Sequence, residues 1–226
     1  MMPTPPPRSA SSPPLVVIVD DDPAVCDALD SLLRSIGLQT RVLGSPAELL
    51  QAALPDLPGC IVLDVRLPGI SGLDLQGQLA AQGIHLPIVF MTGHGDIPMT
   101  VRAMKAGAVD FLSKPFRDQD MLDAVTAAIG RDTLRRQALA TRGGLESRYA
   151  TLTPREREVM AHVVAGLMNK QVAGELHLSE ITVKIHRGNV MRKMGVRSLA
   201  DLVRHAESLG VGTKPVYGST ARPDRA

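Results

Sequence analysis

Aromatic side chains are almost missing from this 226-residue chain: three Phe, two Tyr and no Trp, 2% of the whole. Any core must therefore be aliphatic. Only two cysteines occur, Cys26 and Cys60, both in apolar surroundings and without C-x-x-C spacing. That pattern reads as buried free thiols in a reducing compartment rather than a disulfide framework. No run approaches 18 apolar residues, and the first fourteen residues contain no apolar core of a signal peptide. A cytoplasmic protein with no membrane association is expected. Hydrophobic residues make up 44%, ordinary for globular proteins, and the length suits two modest domains.

The net charge of +2 hides an asymmetry. Residues 15–130 carry 14 Asp/Glu against 7 Lys/Arg, whereas residues 131–226 carry 17 Lys/Arg against 9 Asp/Glu. Such a split points to an acidic half that holds a cation and a basic half that meets a polyanion.

Residues 1–14 are rich in Pro and Ser and are expected to form a disordered arm. Leu15–Val19 is an apolar run too short for a helix, so it reads as a buried strand, ending in Asp20-Asp21-Asp22. Pro23 opens a helix with Val25, Leu29, Leu32, Leu33 and Ile36 on one stripe and Gly37 as its stop. A strand near Gln39–Leu43 and a helix near Pro46–Ala53 follow. The run Cys60-Ile61-Val62-Leu63 is the next buried strand, and Asp64 is its first charge, at the C-terminal end. A helix from Gly72 to about Gln82 precedes a strand Pro87–Met91, which ends in Thr92-Gly93-His94-Gly95. A helix over Ile97–Ala106, a short strand Val109–Leu112 ending near Ser113-Lys114-Pro115, and a helix from Asp118 complete the alternation.

Five strands alternating with five helices predict a doubly wound, five-stranded parallel sheet. In the strand order 2-1-3-4-5 the first and third strands meet at the switch point, where ligands bind beyond the carboxyl ends of the strands. That order brings Asp20, Asp21 and Asp64 to one crevice, flanked by Thr92 and Lys114. Clustered carboxylates suit Mg²⁺, which prefers oxygen ligands. Lys114 supplies a compact cation and Thr92 a hydroxyl for a phosphoryl oxygen, so Asp64 is the candidate nucleophile of an acyl-phosphate reaction.

The strings V-D-D-D, L-D-V-R-L-P-G-I-S-G, T-G-H-G-D-I-P-M-T-V-R-A-M-K-A-G-A and D-F-L-S-K-P-F resemble the receiver domain of two-component response regulators, most closely the FixJ group, over residues 15–130. The resemblance implies that Asp64 takes a phosphoryl group from a phosphohistidine of a sensor histidine kinase. It implies Mg²⁺ bound by Asp20, Asp21, Asp64 and the backbone carbonyl of Arg66. It further implies Lys114 and Thr92 in the chemistry, Thr92 and Phe111 as a switch pair, and a cis Lys114–Pro115 bond. Relatives of this group dimerise on phosphorylation, which implies a dimer surface with Met99, Val101, Arg102 and Lys105. Phe111 stands where some relatives have Tyr, so no hydroxyl serves the switch there.

Residues 131–149 are polar and Arg-rich with Gly143-Gly144 inside, and read as a helix tail followed by a flexible linker. After Leu152 the pattern becomes purely helical. Thr153-Pro154-Arg155-Glu156 is a capping box with Pro at the first helical position. A second helix covers Lys170–Leu176, a tight turn reaches Ser179, and a basic helix runs over Glu180–Met194. Val183, Val190 and Met194 share one of its faces, while Lys184, Ile185, Gly188 and Arg192 share another, flanked by Arg187 and Lys193. A fourth helix, Leu199–Leu209, carries Leu199, Leu202, Val203 and Ala206. Two short helices joined by a turn, the second basic, form a helix-turn-helix arrangement. The strings L-T-P-R-E-R-E-V, G-L-M-N-K-Q-V-A and S-E-I-T-V-K-I-H-R-G-N-V-M-R-K-M-G-V are similar to the LuxR/FixJ-type DNA-binding domain over residues 150–211. Lys170, Thr182, Lys184, Ile185, Arg187, Gly188, Arg192 and Lys193 are then the candidate contacts to double-stranded promoter DNA. Gly188 departs from the polar residue often found in relatives, and residues 212–226 are expected to be disordered.

A transcription regulator rather than an enzyme is therefore expected, with a sensor kinase, promoter DNA, RNA polymerase and a second copy of the chain as partners. A phosphatase of the dehalogenase type would need Asp at position 66, where Arg66 stands, and would leave residues 150–210 unexplained. A vestigial receiver on a DNA-binding protein is disfavoured because every position of the receiver chemistry is filled.

Overall fold

A computed structural model of the chain describes residues 12–93 and 97–211. Most of the Pro-rich arm, the C-terminal tail over 212–226, and His94, Gly95 and Asp96 lie outside the described residues. The chain divides into two compact units, with the boundary between Arg136 and Gln137.

In the first unit the elements alternate as β1 (Leu15–Val19), α1 (Pro23–Ser35), β2 (Gln39–Leu43), α2 (Pro46–Gln51), β3 (Gly59–Asp64), α3 (Gly72–Ala81), β4 (Ile88–Thr92), α4 (Ile97–Lys105), β5 (Asp110–Ser113) and α5 (Asp118–Ala150). The strands form one parallel sheet in the order β2-β1-β3-β4-β5, as the alternation predicts. Every residue of β1, β3 and β4 is buried, because helices cover both faces and remove the polar alternation of a one-sided sheet. The two-residue period instead sorts these apolar side chains between two cores. Val17, Val19, Ile61, Leu63 and Phe90 pack with Leu49, Leu75, Leu79 and Ala103 on one face. Val16, Ile18, Cys60, Val62 and Met91 pack with Leu29, Leu33, Met121 and Val125 on the other. The expected aliphatic core is present, and both cysteines are buried and free. Burial, aided by the charge of Asp132, pushes the Cys60 thiol up to about 12, so it stays protonated and inert.

Some periodic positions fall differently. Ile36, expected on the buried stripe of α1, is 49% exposed, because it is the C-cap residue where the chain leaves the helix. Leu199 opens its helix and is likewise exposed, although Leu202 and Ala206 behind it are buried. Where flexibility was expected over residues 131–149, α5 stays helical through Gly143 and Gly144 to Ala150. Each glycine costs a helix about 1 kcal/mol relative to Ala. Good helix formers surround the pair, Arg142 bonds Glu146 one turn on, Leu145 is buried, and Tyr149 packs against the core of the second unit.

Asp132 on α5 is fully buried. Its carboxylate accepts from the Gly59 N–H at the start of β3 (3.1 Å), from Arg135 (2.7 Å) and from Arg136 (2.7 Å), and Arg136 also pairs with Asp56. Burial works to raise the Asp132 pKa, but the hydrogen bonds from Arg136, Arg135 and Gly59 outweigh it and hold the carboxyl below its ordinary value. A depressed folded pKa contributes stability above the unfolded value, about 3.9, that is lost as the pH falls through the folded one. Asp132→Ala should therefore destabilise the first unit by about 2–4 kcal/mol at neutral pH, leaving the buried Gly59 N–H and the Arg135 guanidinium without their acceptor and Arg136 with Asp56 alone. Urea titrations at pH 7 and in stepwise acid should show that difference shrinking below about pH 4.

The second unit consists of the end of α5 with α6 (Pro154–Val164), α7 (Asn169–Leu176), α8 (Glu180–Met194) and α9 (Leu199–Leu209). Its core joins Leu152, Val159, Met160, Val163, Val172, Val183, Val190, Met194 and Leu202. The turn between α7 and α8 is made by His177 in the left-handed region (φ 52°), and the Ser179 hydroxyl then caps α8 by accepting from the Thr182 N–H.

Candidate functional site

Strand register assembles the acidic pocket. Val19 pairs with Leu63, so Asp20, one residue further, lies beside Asp64. Asp64 pairs with Met91 and Thr92 pairs with Ser113, which brings the ends of β4 and β5 to the same edge. The three consecutive aspartates take separate roles. Asp20 is buried (2% exposed), Asp21 is exposed, and Asp22 caps α1 by accepting from the Ala24 N–H at 2.9 Å. Asp64 is 8% exposed and Thr92 is fully buried.

Lys114 Nζ lies 2.6 Å from Asp20 Oδ2 and 3.0 Å from Asp64 Oδ2. Burial works against its charge, but the hydrogen bonds to Asp20 and Asp64 and their charges prevail and raise its pKa above the ordinary value. The remaining oxygens are oriented by backbone: Asp20 Oδ1 accepts from the Asp22 N–H at 2.9 Å, and Asp64 Oδ1 from the Arg66 N–H at 3.1 Å. Close packing behind Asp64 requires Gly72, since a Cβ there would approach the Asp64 carbonyl oxygen to 2.4 Å. The Lys114–Pro115 bond is cis, and the Lys114 N–H donates to the Thr92 carbonyl at 2.7 Å. Phe111 is half-buried against the Leu63–Phe90 core, its ring 6.3 Å from that of Phe90.

Asp20, Asp21 and Asp64 can each offer a carboxylate oxygen, all within 4.8 Å of one another. Three carboxylates face one ammonium, an excess of negative charge that a divalent cation would offset. The donors are all hard oxygens, and Asp20 and Asp64 keep lone pairs beyond the hydrogen bonds they accept. This set fits Mg²⁺.

On α4, Val101 and Met104 are each 43% exposed and Ile97 is 81% exposed, with Lys105 exposed beside them. Arg102 approaches Asp74 at 3.9 Å, a solvated pair of little energetic consequence. Met99 differs from these neighbours: it is half-buried against the core and borders the same recess as Asp21 and Arg66.

In the second unit Lys170, Lys184, Ile185, Gly188 and Arg192 are exposed, and Thr182 and Arg187 half-buried. Arg187 donates to the Asn169 side chain at 3.1 Å, tying α8 to the start of α7. Lys193 is turned inward, where its Nζ lies 2.6 Å from the buried Glu156 carboxylate and 3.1 Å from the Thr151 carbonyl. Glu156 also completes the capping box of α6 by accepting from the Thr153 N–H. Burial acts to raise the Glu156 pKa, and Lys193 and Thr153 together keep it below the ordinary value. Lys193 therefore does not belong with the outer basic face on which its helical position places it, because its partner Glu156 lies far away in the sequence. Ile181, 73% exposed at the second position of α8, is not among the residues expected from the sequence to face outward. Its spacing of four from Ile185 puts the two on one helix face.

An aspartate held against a lysine at the carboxyl edge of a 2-1-3-4-5 sheet defines a receiver domain, and the second unit is a helix-turn-helix domain. Residues 16–126 match the response regulator receiver domain family, and residues 150–206 match the bacterial regulatory proteins of the luxR family. The chain is 63% identical over 184 residues to nodulation protein W of Bradyrhizobium diazoefficiens, covering 81% of each chain. It is 47% identical over 188 residues to the transcriptional regulatory protein FixJ of Azorhizobium caulinodans, covering 83% of this chain and 89% of that one. Among solved structures, the response regulator StyR matches with a TM-score of 0.79 and 50% identity over 86% of this chain and 98% of its own. Full-length FixJ from B. japonicum matches with a TM-score of 0.55 and 40% identity over 88% and 98%. The protein belongs to the response regulators that join a receiver domain to a luxR-family DNA-binding domain. Among the described residues no helix is long and apolar enough to cross a membrane.

The Lys193–Glu156 pair leads to a stability expectation. Lys193→Ala should cost about 1–3 kcal/mol by stranding a buried carboxylate. Adding Glu156→Gln should recover part of that loss, as thermal denaturation followed by circular dichroism would show.

Proposed function

We propose that the protein is a transcriptional response regulator in which Asp64 accepts a phosphoryl group from a phosphohistidine of a sensor histidine kinase. The phosphorylated chain then acts at promoter DNA as a dimer. The observation that carries this reading is the bridge from Lys114 to Asp20 and Asp64, because it fixes the Asp64 carboxylate beside a cation at the sheet edge. In the transfer the bond from an Asp64 oxygen to phosphorus forms as the phosphorus–imidazole bond breaks, and that bond's electron pair returns to the imidazole nitrogen. Asp20, Asp21 and Asp64, with the Arg66 carbonyl, would hold Mg²⁺, which supplies charge neutralisation for the arriving phosphoryl group. Lys114 exchanges a carboxylate partner for a phosphoryl oxygen, and the Thr92 hydroxyl donates to another.

An apolar groove between α1 and the turn after β5, lined by Val25, Ala28, Leu32 and Phe116, shares Lys114 with the pocket. A donor that must present its histidine to Asp64 has to rest beside the pocket mouth, and this groove is a seat for an apolar helix of the kinase. With Mg²⁺, acetyl phosphate or a phosphorylated cognate kinase should add one acid-stable, base-labile phosphoryl group to the wild type. Asp64→Asn should abolish labelling from both donors. Ala28→Glu should reduce transfer from the kinase at least tenfold and leave acetyl phosphate labelling intact. Undiminished labelling of Asp64→Asn would remove Asp64 from the role.

A doubly charged group on Asp64 would draw the Thr92 hydroxyl inward and let Phe111 follow, changing the surface of α4 and β5 where Met99, Val101, Arg102 and Lys105 lie. A second copy docking there would present two α8 helices to half-sites about 34 Å apart. Lys170, Thr182, Lys184, Ile185, Arg187, Gly188 and Arg192 would contact the DNA, with RNA polymerase recruited alongside. Sedimentation velocity with and without beryllofluoride should show a monomer becoming a dimer, and Val101→Asp should keep it monomeric. A mass unchanged by beryllofluoride would point instead to release of an inhibitory contact.

A further inference from the structure

Helix α8 has two opposed stripes. Val183, Val190 and Met194 are buried in the domain core. About 200° around the helix lie Ile181, Ile185, Gly188 and Arg192, at spacings of four, three and four that keep them in line. Ile181 is 73% exposed and Ile185 59%, large apolar side chains on a helix whose other outward residues are polar or charged. At Gly188 nothing lies within 4 Å of where a Cβ would stand, so the absence of a side chain serves no internal packing. It leaves room for close approach from outside. The stripe ends in Arg192, and Lys184 on the same helix and Lys170 on α7 are exposed cations against the single exposed acid of α8, Glu180, a balance that suits a polyanion rather than an apolar protein surface.

The stripe is also at the correct end of the helix. Recognition helices meet base edges with their N-terminal residues, and Ile181 and Ile185 occupy the first two turns of α8. Neither can make a hydrogen bond. The major groove offers one apolar group to such side chains, the C5-methyl of thymine. Resting on the reading that α8 enters DNA, we propose that Ile181 and Ile185 are specificity-determining residues that read thymine methyl groups. Four residues of helix rise span about 6 Å, close to two base-pair steps, so each half-site carries two thymines with about that separation. Gly188 lets the helix seat deeply enough for both contacts.

The test uses the full chain and a duplex selected from a random pool by its binding. Each thymine is replaced in turn by deoxyuridine, which removes only the C5-methyl. For the wild type, two positions per half-site should lose about fourfold in affinity each, the equivalent of one buried methylene. Ile181→Ala should erase the loss at one of them and Ile185→Ala at the other, while the salt dependence of binding stays unchanged because no phosphate contact is altered. Specific binding indifferent to deoxyuridine at every position overturns this inference and leaves DNA recognition by α8 standing. Isoleucine variants that keep the wild-type deoxyuridine pattern but fail to activate transcription also overturn it, assigning the stripe to a protein partner. A chain that binds no duplex overturns the DNA-binding reading itself.

Discussion

One ammonium between two carboxylates organises the first unit. Lys114 reaches Asp20 and Asp64 only because β1 and β3 are adjacent and because the turn after β5 brings its side chain back over the sheet edge. The pocket is a set of mutual constraints rather than a collection of residues. Removing Lys114 would leave two nearly buried carboxylates facing each other; removing either aspartate would leave a half-buried ammonium with one partner. The same tension suits phosphoryl chemistry, since a pocket with excess negative charge and a single movable cation responds strongly to a new dianion.

The second unit uses a similar device for a different purpose. Glu156 caps α6 and pairs with Lys193 on α8, so one buried carboxylate holds the helix-turn-helix pair in register with the helix beneath it. Lys193 is therefore structural, and the outward charge of α8 rests on Lys184 and Arg192. On the same helix two large apolar side chains four residues apart, Ile181 and Ile185, also face outward.

Asp132 gives the long helix α5 its own anchor. It fastens the helix to the first residue of β3, the strand whose last residue is Asp64. The arginines that satisfy it lie at Arg135 and Arg136, where the first unit ends.

The sequence by itself determined the strand and helix order, because continuous apolar runs of four or five residues and 3.6-residue stripes are local patterns with few alternatives. It also determined the candidate nucleophile, since Asp64 is the first charge after a buried strand and Asp20, Thr92 and Lys114 end its neighbours. The tertiary structure alone decided how those residues share the work. The split of Asp20, Asp21 and Asp22 into lysine partner, exposed acid and helix cap depends on register and on where α1 begins. The inward turn of Lys193 depends on Glu156, 37 residues away. Continuity of α5 through Gly143 and Gly144, and the exposure of Ile36 and Leu199, follow from packing and chain ends that a periodic pattern does not contain. Local chemistry is written in neighbours along the chain; partnership across space is set by the fold.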